Sequence, residues 1–219
     1  MTPNNILTYI SLILGLFVLI IHYLSKNKPF ELKLISIYIL FELATDLFLN
    51  PISKTLFKSE YTAAHIFTLV EFFIFSLIFR NILELKSKRF IFWLFSYLFI
   101  LTFIYENFVI KNIGFDSISV GISNIILTTY SILCLSKFLK QAKPESILHL
   151  NFFITASSVI YFAGTLFIYT LFNSYIENNN FSEIYYFINP TVITIRNILL
   201  VAGAIINFNL QVTKKIIPA

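Results

Sequence analysis

The chain alternates long apolar stretches with short polar breaks. A helix needs about 20 mostly apolar residues to cross the hydrocarbon core of a bilayer. Runs of that kind fall at residues 6–24, 34–52, 63–83, 90–110, 118–138, 148–172 and 185–210. Pro29, Pro51 and Pro144 lie in or beside the breaks, where proline ends helices. The break holding Asn178, Asn179 and Asn180 is the most loop-like. The runs are too long, and too far from strict alternation, for barrel strands. The pattern predicts an all-α membrane bundle of seven transmembrane helices, one transmembrane domain over residues 1–219. The first run has no basic residue before it and no small-residue cleavage pattern after it. Lys26 and Lys28 follow instead, so it reads as an uncleaved helix rather than a signal peptide.

The basic residues give the bundle a direction. With the N-terminus outside, twelve fall on the inner side: Lys26, Lys28, Lys33, Arg80, Lys86, Lys88, Arg89, Lys137, Lys140, Lys143, Lys214 and Lys215. Three fall outside, Lys54, Lys58 and Lys111, and Arg196 lies within a helix. Short cytoplasmic loops carry the Lys/Arg excess. The split predicts an outside N-terminus and a cytoplasmic C-terminus. It also explains the net charge of +5 as topology, not as a nucleic-acid surface.

Composition narrows the class further. The chain is 58% hydrophobic and 12% charged, against about 25% charged in a soluble domain. That excludes a soluble enzyme, a disordered chain and a disulfide scaffold. Cys134 is the only cysteine, so no intrachain disulfide or cysteine-based zinc site is available. Ile, Phe, Asn, Tyr and Lys are abundant while Gly, Ala, Trp and Met are scarce. This AT-rich coding bias points to a bacterium, and with the topology to its inner membrane. There is no Gly-rich phosphate loop, Gly-x-Ser-x-Gly elbow, His-Glu-x-x-His or internal repeat. No cofactor or metal is expected.

Ionisable groups within a bilayer are expensive unless paired or hydrated, so they are the functional candidates. The second run holds Glu42, Asp46 and Asn50 at i, i+4, i+8 on one stripe. The third holds His65 and Glu71, the seventh Asn189, Arg196 and Asn197. Shorter polar stripes occur in the first (Ser11, Gly15, His22), fifth (Gly121, Asn124, Thr128, Ser131) and sixth (Asn151, Thr155, Ser158, Thr165, Tyr169). Single Ser and Thr residues of this kind mostly serve interhelical contact. The fourth run is nearly bare of polar groups before Glu106 and is expected to face lipid. Arg196 cannot shed its proton. It therefore requires a carboxylate at its depth, Glu42 or Glu71. Asp46, His65 and Asn189 lie in the outer half of their helices. That outer group is expected to form a polar pocket open to the outside, and Glu42, Glu71, Arg196 and Asn189 are the candidate binding residues.

Two sets of residues carry resemblances. His65-Ile-Phe-Thr-Leu-Val-Glu71, Tyr161-Phe-Ala-Gly164-Thr-Leu-Phe and Arg196-Asn197-Ile-Leu resemble a group of uncharacterised bacterial seven-helix proteins, which brings no activity with it. Ala44-Thr-Asp46-Leu followed by Ala64-His65 is similar to the lysoplasmalogenase-like membrane hydrolases. That similarity implies cleavage of a vinyl-ether bond with Asp46 and His65 as acid–base residues. The chain has Thr45 where that family has Gly, and seven runs where it has eight helices.

Three classes stay open. One is a sensor-type or accessory subunit that binds a small polar or lipophilic ligand or a membrane-protein partner. The second is a lipid hydrolase using Asp46 and His65. The third is a small-solute transporter with Glu42, Glu71 and Arg196 on its path, for which Asn189-Pro190 supplies a break in the last helix. A retinal pigment is excluded, because the last run has no interior lysine for a Schiff base.

Overall fold

The computed structural model describes residues 3–26, 28–49, 61–84, 89–110, 118–140, 149–175 and 180–216. All seven described stretches are helical. They are α1 (Pro3–Leu24), α2 (Phe30–Ala44), α3 (Tyr61–Leu83), α4 (Arg89–Ile104), α5 (Ile118–Lys140), α6 (Leu150–Tyr175) and α7 (Asn180–Ile216). α2 continues through a π-helical turn at Thr45–Leu49, and α4 through another at Tyr105–Ile110. Asn50, Lys54, Lys58, Lys86, Lys88, Lys111 and Lys143 lie outside the described residues. α7 starts earlier and ends later than its apolar run. A helix pairs its own backbone groups and need not stop where the hydrocarbon does.

Among the described residues six helices are long and apolar enough to cross a membrane; α2 is the exception. Its 15 α-helical residues and 5 π-helical residues span roughly 30 Å at about 1.5 Å per residue. Length is therefore not its deficit. Glu31, Lys33, Glu42 and Asp46 lower its apolar content. The chain is a multi-pass helical membrane protein.

The helices pack α1 on α2, α2 on α3, α3 on α5, α5 on α6, α6 on α7 and α7 back on α1. α4 lies outside this ring against α5, and its rings also reach α3. Phe99 stacks on Phe72 with centroids 3.9 Å apart, and Phe92 stacks on Tyr130 at 6.1 Å. The outer face of α4, with Trp93, Tyr97, Leu98 and Leu101, is exposed, as its nearly unbroken apolar pattern predicts. The α6–α7 pair is the most extensive. A Cβ on Gly164 would come within 2.8 Å of Val192, and one on Gly203 within 2.7 Å of Phe153. These two glycines permit the close approach, as small residues do between membrane helices.

Phe72, Phe75, Phe79 and Phe162, each at most 1% exposed, fill the centre of the bundle. Phe75 meets Phe162 edge-on at 4.9 Å. At the end where α1 finishes and α2 begins, the Asn81 amide donates to buried Glu31 at 2.6 Å, tying α3 to α2. The Asn151 amide of α6 approaches the same oxygen at 3.5 Å. There too the Lys137 ammonium donates to the Ile82 carbonyl at 2.8 Å and to Glu84 at 3.1 Å. At the opposite end Glu106 accepts from the backbone N–H groups of Ile118 and Ser119 at 2.6 and 2.9 Å. A carboxylate from the end of α4 thus caps the open N–H groups of α5, where the helix dipole also favours negative charge.

Candidate functional site

The site grows from Arg196, on the face of α7 that looks into the ring. Its side chain has no solvent exposure. Nη2 donates to both carboxylate oxygens of Glu42 at 2.7 Å. Nη1 donates to the Tyr38 hydroxyl at 2.5 Å, and Nε to Asn197 Oδ1 at 3.0 Å. The guanidinium also lies over the rings of Tyr38 and Tyr161, at 5.1 and 4.6 Å from their centroids. Tyr38 and Glu42 are one helical turn apart on α2, which lets one guanidinium engage both. A buried charge of this kind is tolerable only with such pairing.

The network continues on both sides. The Tyr38 hydroxyl donates to Glu71 at 2.8 Å, so Glu71 meets Arg196 through a tyrosine and not directly. Both Tyr38 and Glu71 are buried. On the other side the Asn197 amide donates to the Ser11 carbonyl at 3.1 Å and to the Ser11 hydroxyl at 2.9 Å. A single connected set of polar groups therefore joins α1, α2, α3 and α7.

Next to it lies a cavity of about 230 Å³ between α1, α2 and α7. Its polar wall includes Thr8, Ser11, Glu42, Asp46, Asn189 and Asn197; Leu12, Ile39, Leu43 and Ile193 supply the apolar wall. Thr8 and Ser11 are early in α1, Asp46 is late in α2 and Asn189 is in the first half of α7. The cavity thus sits at the end of the bundle opposite Lys26, Lys28, Lys137 and Lys140.

Two interruptions of regular helix border it. Asp46 stands in the π-turn that follows Ala44, where the Thr45 hydroxyl donates back to the Phe41 carbonyl at 2.8 Å. Pro190, itself a lining residue, lies within α7 and has no N–H for the carbonyl four residues earlier. Thr194 turns its hydroxyl to the Pro190 carbonyl at 2.7 Å and reaches the Leu7 carbonyl at 3.3 Å. π-turns cluster at functional sites, and interrupted membrane helices surround binding sites.

The candidate residues thus separate into groups. Glu42, Asp46 and Asn189 line the cavity. Arg196 stands behind Glu42, and Glu71 stands behind Tyr38. His65 is apart from them. It is 5% exposed, its ring faces Phe103 of α4 at 6.3 Å, and neither nitrogen has a hydrogen-bond partner among the described residues. No hydrogen bond joins His65 to Asp46, and His65 does not line the cavity. Among the described residues no group of three or more His, Cys, Asp or Glu is placed to hold a metal ion.

Sequence reasoning missed Tyr38 and Tyr161. A tyrosine inside an apolar run has no distinctive pattern; the available signal was the four-residue spacing from Tyr38 to Glu42. Much of the α6 polar stripe satisfies itself. Thr155, Ser158 and Thr165 donate to carbonyls of their own helix. Gly121 packs against the Tyr169 ring.

The fold and site together define a helical membrane protein with a charged cluster in its interior and a cavity at one end. No protein-family model, curated protein or solved structure matches the chain.

Proposed function

We propose that the protein is a seven-span bacterial inner-membrane protein, N-terminus outside, that binds a small ligand in the cavity between α1, α2 and α7. In this reading it serves as a sensor-type or accessory subunit. The observation that carries it is the meeting of a π-turn and an in-helix proline at one polar-walled cavity of about 230 Å³. Binding is favoured over passage, because the aromatic layer of Phe75, Phe79 and Phe162 separates Glu71 from the Glu31 end. It is favoured over hydrolysis, because His65 and Asp46 are not joined. α2 counts as the seventh span because two of its acids are answered inside the bundle: buried Glu31 accepts from Asn81 of α3, and half-buried Glu42 pairs with Arg196 of α7.

The test is thermal unfolding of the purified protein against a library of small polar and amphipathic compounds. A binder should raise the midpoint for the native chain and not for Ile193→Trp, which fills the cavity. Shifts that survive the filling place binding elsewhere, and a library without effect on the native chain defeats the reading. Topology is read separately. Reporter fusions after Lys28, Lys88, Lys143 and Lys215 should all report the cytoplasm, and an outside signal at Lys88 removes the proposed orientation.

A further inference from the structure

We infer that the ligand of this cavity is a small uncharged amphiphile, an apolar body carrying a hydroxyl that donates to Glu42. The inference rests on the ligand-binding reading above and gives that ligand its chemistry.

The charges at the cavity are already answered from within the protein. Both oxygens of Glu42 accept from Nη2 of Arg196 at 2.7 Å, and that guanidinium is fully buried. An ammonium ligand would have to compete with a partner that already spans both oxygens. Asp46 is exposed at one end of the cavity and engaged in an interaction of its own, so it lends the enclosed part no free charge. An anionic ligand fares no better. None of the described residues lining the cavity is basic, and the Arg196 nitrogens are turned to Glu42, Tyr38 and Asn197. Either ion would lose hydration on entry without gaining a counter-charge.

What the enclosed wall offers instead is a hydrogen-bond acceptor in an apolar setting. Ser11 and Asn197 are engaged with each other, and Asn197 Oδ1 also accepts from Nε of Arg196. Glu42 keeps capacity to spare. A carboxylate has about four lone-pair sites, and the guanidinium takes one on each oxygen. The side chain remains 18% exposed where it lines the cavity. A neutral hydroxyl can fill a remaining site, and hydrogen bonds to a charged acceptor are among the stronger ones. Leu12, Leu43 and Ile193 line the cavity beside it. The inner end closes at Gly15, where a Cβ would come within 3.3 Å of Ile39. A short apolar body therefore fits with its hydroxyl on Glu42. Ligand pockets commonly combine such a lining with a few placed polar groups.

Probes that share one ring and differ in their head group test this: cyclohexanol, its methyl ether, cyclohexylammonium and cyclohexanecarboxylate. Cys134 is buried and is removed as background by Cys134→Ala. Leu12→Cys then places one thiol in the cavity wall, with Ile193→Cys as a second position should the first fail to fold. Ile13→Cys, at an exposed position of α1, is the control. Labelling by methyl methanethiosulfonate is timed in membranes against each probe, and the probe concentrations that halve the rate are compared. Cyclohexanol should slow labelling in the cavity wall several-fold and leave Ile13→Cys unchanged. The ether, which has no donor, and the two ions should need about tenfold higher concentrations or more. An ion that protects as well as cyclohexanol overturns the uncharged class while leaving a ligand cavity in place. An ether that protects as well removes the bond to Glu42 and the inference with it. Protection by none of the probes at a thiol that reacts, or protection that Ile13→Cys shares, also overturns it. A thiol unreactive at both wall positions closes the cavity, and the binding reading falls together with the inference.

Discussion

The two sides of the bundle are held by different physics. Around α1, α2 and α7 the contacts are charged and hydrogen-bonded: Arg196 to Glu42, Tyr38 to Glu71 and Asn197 to Ser11. Around α3, α4 and α5 they are rings: Phe99 on Phe72, and Phe92 and Phe95 on Tyr130. In lipid, apolar association has little of the drive it has in water, so packing and interhelical hydrogen bonds must hold helices together. Ring packing fills space and tolerates small shifts. A bidentate acceptor on a buried guanidinium fixes partner and depth. The polar side is the one that borders the cavity between α1, α2 and α7.

The largest expected effect breaks the polar side. Arg196→Met leaves Glu42 without its counter-charge and should cost about 3–5 kcal/mol where the pair is dry. Denaturant unfolding in mixed micelles reads this as a lower midpoint. Arg196→Met combined with Glu42→Gln should recover most of the loss. A double variant as unstable as the single one would mean that the ring contacts of Arg196 with Tyr38 and Tyr161, rather than its charge, hold the helices.

The aromatic side is tested next. Phe99 has no exposure, and Phe99→Ala removes its stack on Phe72. The expected loss is about 2–4 kcal/mol, toward the lower part of the range for buried Phe truncation because lipid replaces water as the reference. If the two sides are independent, this loss adds to that of Arg196→Met within about 0.5 kcal/mol. A deviation well beyond that would show the sides to be coupled, and the contrast between them would have to be redrawn.

The smallest effect comes from the peripheral ion pair. Glu84 is 77% exposed where it meets Lys137, so Glu84→Gln should change stability by less than about 0.5 kcal/mol. The same unfolding midpoint measures it, and a shift near 2 kcal/mol would place this contact among the structural ties.

The elements were legible because bilayer thickness sets helix length. Six of the seven apolar runs reappear as helices long and apolar enough to span, and the seventh, α2, reappears as a helix with too many charges to qualify on composition. The Arg196–Glu42 contact was legible for a related reason, since a guanidinium in hydrocarbon must find a carboxylate at its own depth. Sequence left both Glu42 and Glu71 as its partner. The choice turns on Tyr38, which stands between Arg196 and Glu71. The π-turn at Thr45–Leu49 was not legible, because its backbone register is chosen by surrounding contacts rather than by residue type. Nor was the Glu106 cap, which depends on where the end of α4 meets the start of α5.

The order of synthesis gives these ties different histories. Glu106 and the N–H groups it caps are 12 and 13 residues apart, so that contact can close as soon as α4 and α5 are both made. Glu42 and Arg196 are 154 residues apart. The helix carrying the acid emerges second, and its guanidinium arrives only with the last. Until then the nascent bundle holds Glu42 and Asp46 without that cation, on the helix least suited by composition to remain in lipid. α7 is thus the piece whose arrival gives Glu42 its counter-charge, and a chain halted before it would hold that carboxylate without its guanidinium.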